Sequence, residues 1–169
     1  MFSMYDASAA VFADSLGNMR AWLDKAADTL SPEALMEARL AADMRPLPAQ
    51  YQFASDTAKN AMARLTGVDA PSMPDTEASP AELQQRCDKT IAFIKTVDRE
   101  AMRDSETREV VLKFPNGQGY RFTGEEYLRR FALPNFYFHA TTAYAILRAQ
   151  GVPLGKADFL QHLGPPNLG

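Results

Sequence analysis

Cysteine is almost missing from this chain of 169 residues, where Cys87 stands alone. One cysteine makes no intramolecular disulfide and no cysteine-based zinc site, and the cytoplasm is the expected compartment. Histidine is nearly as scarce, with His139 and His162 the full complement. Basic charge is not in excess: 18 Lys and Arg against 21 Asp and Glu give a net charge of −3 and a pI near 5.4. That balance argues against a nucleic-acid partner or an anionic membrane surface, which require a basic stripe. Apolar runs are short, five residues at most, as in Ala143–Leu147, so no membrane span is expected. The first basic residue is Arg20, which leaves the start without the charged region of a secretory signal. Internal repeats and low-complexity tracts are absent too. What remains, 46% apolar and 23% charged residues, has the proportions of a globular protein. The length suits one domain over 1–169, with the proline-marked tail 160–169 expected to be loosely ordered.

Hydrophobic spacing predicts mainly helices. Val11, Phe12, Leu16, Met19, Leu23, Ala26 and Leu30 recur every three or four residues, predicting a helix over 4–30. Ser31-Pro32 restarts the chain as N-cap and first helical residue, for a short helix through Met44 that Pro46 and Pro48 end. Ala54, Ala58, Ala61, Met62 and Leu65 stripe a helix over 49–65, which Gly67 stops. After an aperiodic loop over 68–78, Ser79-Pro80-Ala81-Glu82 is a capping box opening a third long helix with Leu83, Cys87, Ile91 and Ile94 on one face. The period then changes to two. Val110, Leu112 and Phe114 alternate before Asn116-Gly117, and Tyr120 and Phe122 after it, which predicts a hairpin over 109–123 lying against a helix. Thr123-Gly124-Glu125-Glu126 caps a segment to Ala132, and Pro134 begins a last helix through Gln150 that Gly151 and Pro153 close. The fold class is all-α: a four-helix bundle with short extra helices and a small β-hairpin before the last helix.

Few residues could carry chemistry. His139 shares the inner half of its helix with Phe136, Ala143 and Ile146, and Asn135 lies one turn earlier on that side. A buried histidine bonded across the bundle is the simpler reading, and a metal or catalytic role is the alternative. Neither H-E-x-x-H nor Glu-x-x-His occurs. Gln52, Asp56 and Asn60 run along one edge of the second long helix and could face a partner. Such an edge is ordinarily solvated, and Asp56 lies nearly opposite the alanine stripe. A G-x-S-x-G nucleophile elbow is missing. Gly117 and Gly119 lie in a hairpin instead of between strand and helix, so no dinucleotide loop is expected. Cys87 reads as a small core residue. Tyr137 and Phe138 point away from Phe136, so part of this aromatic cluster should meet the hairpin or another subunit.

The stretch Asn135–Gly155, with its Leu147-Arg148 pair and Gly151-Val152-Pro153 exit, resembles the last bundle helix of the DinB/YfiT-like superfamily. Met4-Tyr5-Asp6-Ala7-Ser8, Leu40–Met44, Ala54–Lys59 and Phe131–Phe136 narrow the resemblance to an uncharacterised bacterial branch known only as a domain of unknown function. The resemblance spans roughly residues 2–160 and implies the bundle fold. Superfamily members of known activity are metal-dependent, three-histidine proteins, several of which transfer small thiols to electrophiles. Matched to that pattern, His139 takes the place of the second histidine of H-x3-H, while Asn135 and Gln52 stand at the other two. Asn and Gln are weak divalent-metal donors beside imidazole. No metal is therefore the favoured expectation; were zinc or nickel bound, His139 and Asp56 would hold it. The functional expectation is a homodimer binding a small molecule in a pocket near His139, Asn135, Gln52 and Asp56. The alternative is a metal-dependent thiol transferase or hydrolase with a remodelled site.

Overall fold

Residues 3–168 are described by a computed structural model, and the helical spacing of the first stripe becomes α1 (Val11–Ala27), entered through a π-helical turn at Asp6–Ala10. Phe12, Leu16, Met19, Leu23 and Ala26 from that stripe are all buried. α2 (Pro32–Glu37) starts as expected, with Ser31 Oγ accepting from Ala34 N–H, but it stops well short of Met44. A continued helix would have had no core face, since Arg39 to Asp43 are all exposed, and a helix without a buried face lacks its main source of stability. Ala38 is extended instead, and its carbonyl accepts from Leu47 N–H at 2.8 Å.

Pro48, expected as a stop, lies in the first turn of α3 (Leu47–Thr66), where its missing N–H costs nothing. Gly67 closes α3 at φ +82°, a conformation glycine adopts freely. The alanine stripe is fully buried. α4 (Pro80–Thr96) follows, with Ser79 Oγ accepting from Glu82 N–H.

The hairpin β1 (Glu109–Lys113) and β2 (Gly119–Thr123) pairs antiparallel with Val110 opposite Phe122 and Leu112 opposite Tyr120. Gly117 at φ +81° makes its turn, and Val110 and Leu112 point into the core. Thr123 and Glu126 form the expected capping box for α5 (Gly124–Tyr127). The expected break at Leu133-Pro134 does not occur: helix continues through a π turn at Leu128–Ala132 into α6 (Leu133–Ala149). A proline in a helix removes one backbone hydrogen bond and crowds the preceding turn, and the wider turn just before Pro134 relieves that conflict.

In the bundle α1 packs on α4 and α6, and α3 packs on the same two helices, so the four form a ring. Phe12 and Phe136 meet edge to face at its centre, 4.9 Å apart. Tyr51 spans the ring, its hydroxyl donating to the Met19 carbonyl at 2.8 Å. Beyond Gly151, Arg148 holds the exit by donating to the Val152 carbonyl at 3.0 Å. The chain then folds back as α7 (Lys156–Phe159) and a short 3-10 turn at Gln161–Leu163. Trp22 Nε1 donates to the Asp158 carbonyl, Asn18 Nδ2 to the Phe159 carbonyl, and the Phe159 ring stacks on Trp22. Asn18 Nδ2 also meets His162 Nδ1 at 2.8 Å, which carries the docking three residues into the segment that its prolines mark as loose; from Gly164 to Leu168 the chain is exposed and irregular. Among the described residues no helix is long and apolar enough to cross a membrane.

Candidate functional site

Antiparallel packing of α3 against the long helical run through α5 and α6 sets a ladder of facing residues. His139 meets Phe53, with ring centres 5.0 Å apart. One turn along, Asn135 Nδ2 donates to Thr57 Oγ1 at 2.7 Å. At the far end Arg64 donates to the Tyr127 hydroxyl at 3.0 Å and lies over that ring. Leu112, Lys113 and Phe114 of the hairpin stand over the ladder, and the three walls enclose an open cleft of about 280 Å³. That volume lies near the lower edge of ligand pockets, which run from roughly 300 Å³ upward.

His139 has a defined tautomer. Gln50, itself buried, donates its amide N–H to the Arg45 carbonyl at 3.0 Å. A carbonyl can only accept, so Gln50 Oε1 is the atom left to face the imidazole, and it accepts from His139 Nδ1 at 2.9 Å. The second ring nitrogen, Nε2, then carries the lone pair and has no hydrogen-bond partner among the described residues, and the ring it belongs to lines the cleft. Partial burial against Phe53 and Phe138 lowers the His139 pKa, which keeps the ring a neutral acceptor near pH 7.

The other sequence candidates divide. Asp56 and Asn60 line the cleft beside Asn135 and His139. Asp56, however, is engaged from behind: Arg86 reaches it at 2.9 Å and Lys59 at 3.4 Å. Gln52 does not line the cleft and donates to Glu77 Oε2 at 2.9 Å. Gln50, Arg64, Tyr127 and Arg86 were not picked out from sequence. Arg86 did leave a signal, because it interrupts the buried stripe of Leu83, Cys87, Thr90 and Ile94. Its side chain is only 2% exposed and also pairs with Asp75 and Glu77. Cys87 is fully buried, and burial pushes its thiol up to about 12, so it is an inert core residue.

A divalent metal does not fit these residues well. His139 offers one imidazole nitrogen, Asn135 an amide, and the Asp56 carboxylate is held by two cations. A closed site takes three or four strong donors. Among the described residues no group of three or more His, Cys, Asp or Glu side chains is arranged to hold a metal. What the cleft offers is hydrogen bonding and charge: an acceptor at His139, amides at Asn60 and Asn135, and cations at Arg64 and Lys113.

Replacing His139 by alanine leaves the buried Gln50 oxygen without a partner, and about 1–2 kcal/mol of stability is expected to go. Urea unfolding checks it. Because burial lowers the folded pKa, the stability tied to neutral His139 is complete above the ordinary imidazole value of ~6.5. It is lost as pH falls through the lower folded value. The same mutant should show a weaker decline over that range.

Comparison with known proteins agrees with this fold. The family described as "Domain of unknown function (DUF1993)" matches residues 4–160. A crystal structure of a DinB family member protein from Shewanella denitrificans superposes with a TM-score of 0.86 at 37% sequence identity, covering 98% of this chain and 94% of that one. No curated protein matches the chain. A four-helix ring with one hairpin, a family match over nearly the whole length and a DinB structure this similar lead to one conclusion: the chain belongs to the DUF1993 family, a DinB-like family of helical bundles.

Proposed function

We propose that this protein binds a small molecule in the cleft between α3, α6 and the hairpin, and that it does so as a homodimer. One observation carries the binding reading. Gln50 fixes the His139 tautomer from inside the core, so a hydrogen-bond acceptor is held at the cleft wall before any ligand arrives. Preorganisation of this kind reduces the entropy lost on binding. Supporting the dimer, Phe138 and Tyr137 on the outer side of α6 are 58% and 37% exposed, an apolar surface suited to a twofold contact.

A fragment screen by ligand-observed NMR, followed by amide shift mapping, tests the binding reading. Hits that move His139, Asn135 and Phe53 in the wild type, and lose affinity in His139→Ala, are expected. Hits that map only to other surfaces overturn it. Light scattering at roughly tens of micromolar tests the assembly. A mass of twice 18.7 kDa is expected, and a mass of one chain removes the dimer.

A further inference from the structure

The charges around the cleft select among ligands. Among the described residues Asp56 is the one acidic residue lining it, and it is paired with Lys59 and with Arg86, which Asp75 and Glu77 share. Arg64 and Lys113 make no ion pair among the described residues, and both line the cleft. In a chain with net charge −3, two unpaired cations on one groove mark a place for an anion. Asp56 still lines the same groove, so a single negative charge suits it better than a doubly charged phosphate.

Length is the second constraint. Phe53, beside His139, and Arg64 are eleven residues apart on α3, or about 16 Å of helix. His139 and Arg64 therefore sit toward opposite ends of the groove, and Lys113, at the end of β1, lines it from the hairpin. Leu112, Phe114 and Phe131 supply an apolar lining to the same groove. A ligand that uses both ends is elongated, has an apolar body and carries different groups at its two ends.

We propose that the cleft takes an elongated monocarboxylate, with the carboxylate between Arg64 and Lys113, an apolar or aromatic body along Phe131 and Leu112, and a terminal hydroxyl donating to His139 Nε2. The carboxylate receives charge-assisted hydrogen bonds, the strongest class open to it here. The hydroxyl meets the ring nitrogen without a proton, because Gln50 holds the proton on the other one, Nδ1. Tyr127 accepts from Arg64, which holds the guanidinium at the cleft end while its remaining N–H groups stay free for the ligand. The proposal rests on the cleft being a binding site, and the experiment separates the two claims.

The probes are a hydroxybiphenyl carboxylate with its two groups at opposite para positions, its neutral methyl ester, and the same acid without the hydroxyl. Affinities come from calorimetry and locations from amide shifts. The hydroxy acid is expected to bind at the cleft, with the ester on the order of tenfold weaker. Arg64→Gln and Lys113→Gln should each reduce the preference for acid over ester. Lys113 is exposed and forms no side-chain hydrogen bond among the described residues, so its variant reads cleanly even if Arg64→Gln unfolds. His139→Gln should remove the advantage of the hydroxyl and leave the preference for acid intact. Acid and ester binding equally at the cleft would overturn the carboxylate and keep the site. An acid that does not bind while the fragment screen still finds ligands at His139 does the same. Probes that bind but shift only residues outside the cleft would overturn both.

Discussion

Arg86→Met is expected to destabilise the protein by about 3 kcal/mol in urea unfolding, the lower end of what removing one partner of a buried ion pair costs. The Arg86 side chain is 2% exposed and Glu77 12%, so Glu77 is the carboxylate left stranded. Asp56 and Asp75 are 33% and 48% exposed; water compensates them, and they add little. Arg86 also donates to the Met73 and Pro74 carbonyls, so its loss frees the loop over 68–78 that packs across α3 and α4. The acid limb of the stability curve gives a second readout. Burial pushes the Glu77 carboxyl up, but hydrogen bonds from Arg86 and Gln52 outweigh it and hold the pKa below the ordinary glutamate value. A carboxylate with a lowered folded pKa contributes stability above its unfolded pKa, near 4.3, and loses it as pH falls through the folded one. In Arg86→Met that acid-driven loss should shrink. A variant within about 1 kcal/mol of wild type, with an unchanged acid limb, would contradict the account.

A chain ended after Leu154 should lose about 2–3 kcal/mol, most of it from the Phe159 ring that leaves the bundle. That ring lies 5.4 Å from Trp22 and 5.8 Å from Tyr144, and aromatic pairs add to simple burial. Trp22 is the chain's one tryptophan, so fluorescence reports this contact without labelling. Removing the tail uncovers the indole and returns its N–H to water, and its emission should move to the red. Phe159→Ala should shift it in the same direction by less. Emission that does not move on truncation would show that the tail does not cover Trp22.

The helical stripes were legible because burial in a bundle is periodic: Phe12, Leu16, Ala54, Ala58, Leu83 and Ile146 are buried as expected. Val11, Ile91 and Leu30, the last beyond the end of α1, are half-buried. Prolines misled, because Pro48 and Pro134 occupy positions where a helix tolerates them while sequence spacing marks them as ends. The failed extension of α2 came from capping evidence at one end with no core to face beyond Glu37. At the cleft, His139 and Asn135 were readable from one helical face. Their partners were not: whether Gln50 or Gln52 faces α6 depends on how two helices are rotated against each other, and single-helix periodicity does not fix that. Arg86 showed its place on the buried face of α4, but its partners were hidden for a related reason. A long basic side chain is ordinarily placed at the surface, and three acids from two separate segments had to converge before its burial became favourable.

The π turn at Leu128–Ala132 also sets the phase of the cleft. Tyr127 and Phe131 precede or occupy it, while Asn135 and His139 follow it, and all four contribute to one wall. Each residue of an α-helix carries about 100° of rotation, so positions eight apart, such as Tyr127 and Asn135, would diverge by about 80° in an unbroken α-helix, and the wider π turn takes up that excess. Exchanging a side chain in the turn alters only a local contact. Dropping one residue from the turn would let it close as ordinary α-helix with Tyr127 and Asn135 seven apart, within about 20° of one face, whereas adding one would rotate the two halves of the wall apart.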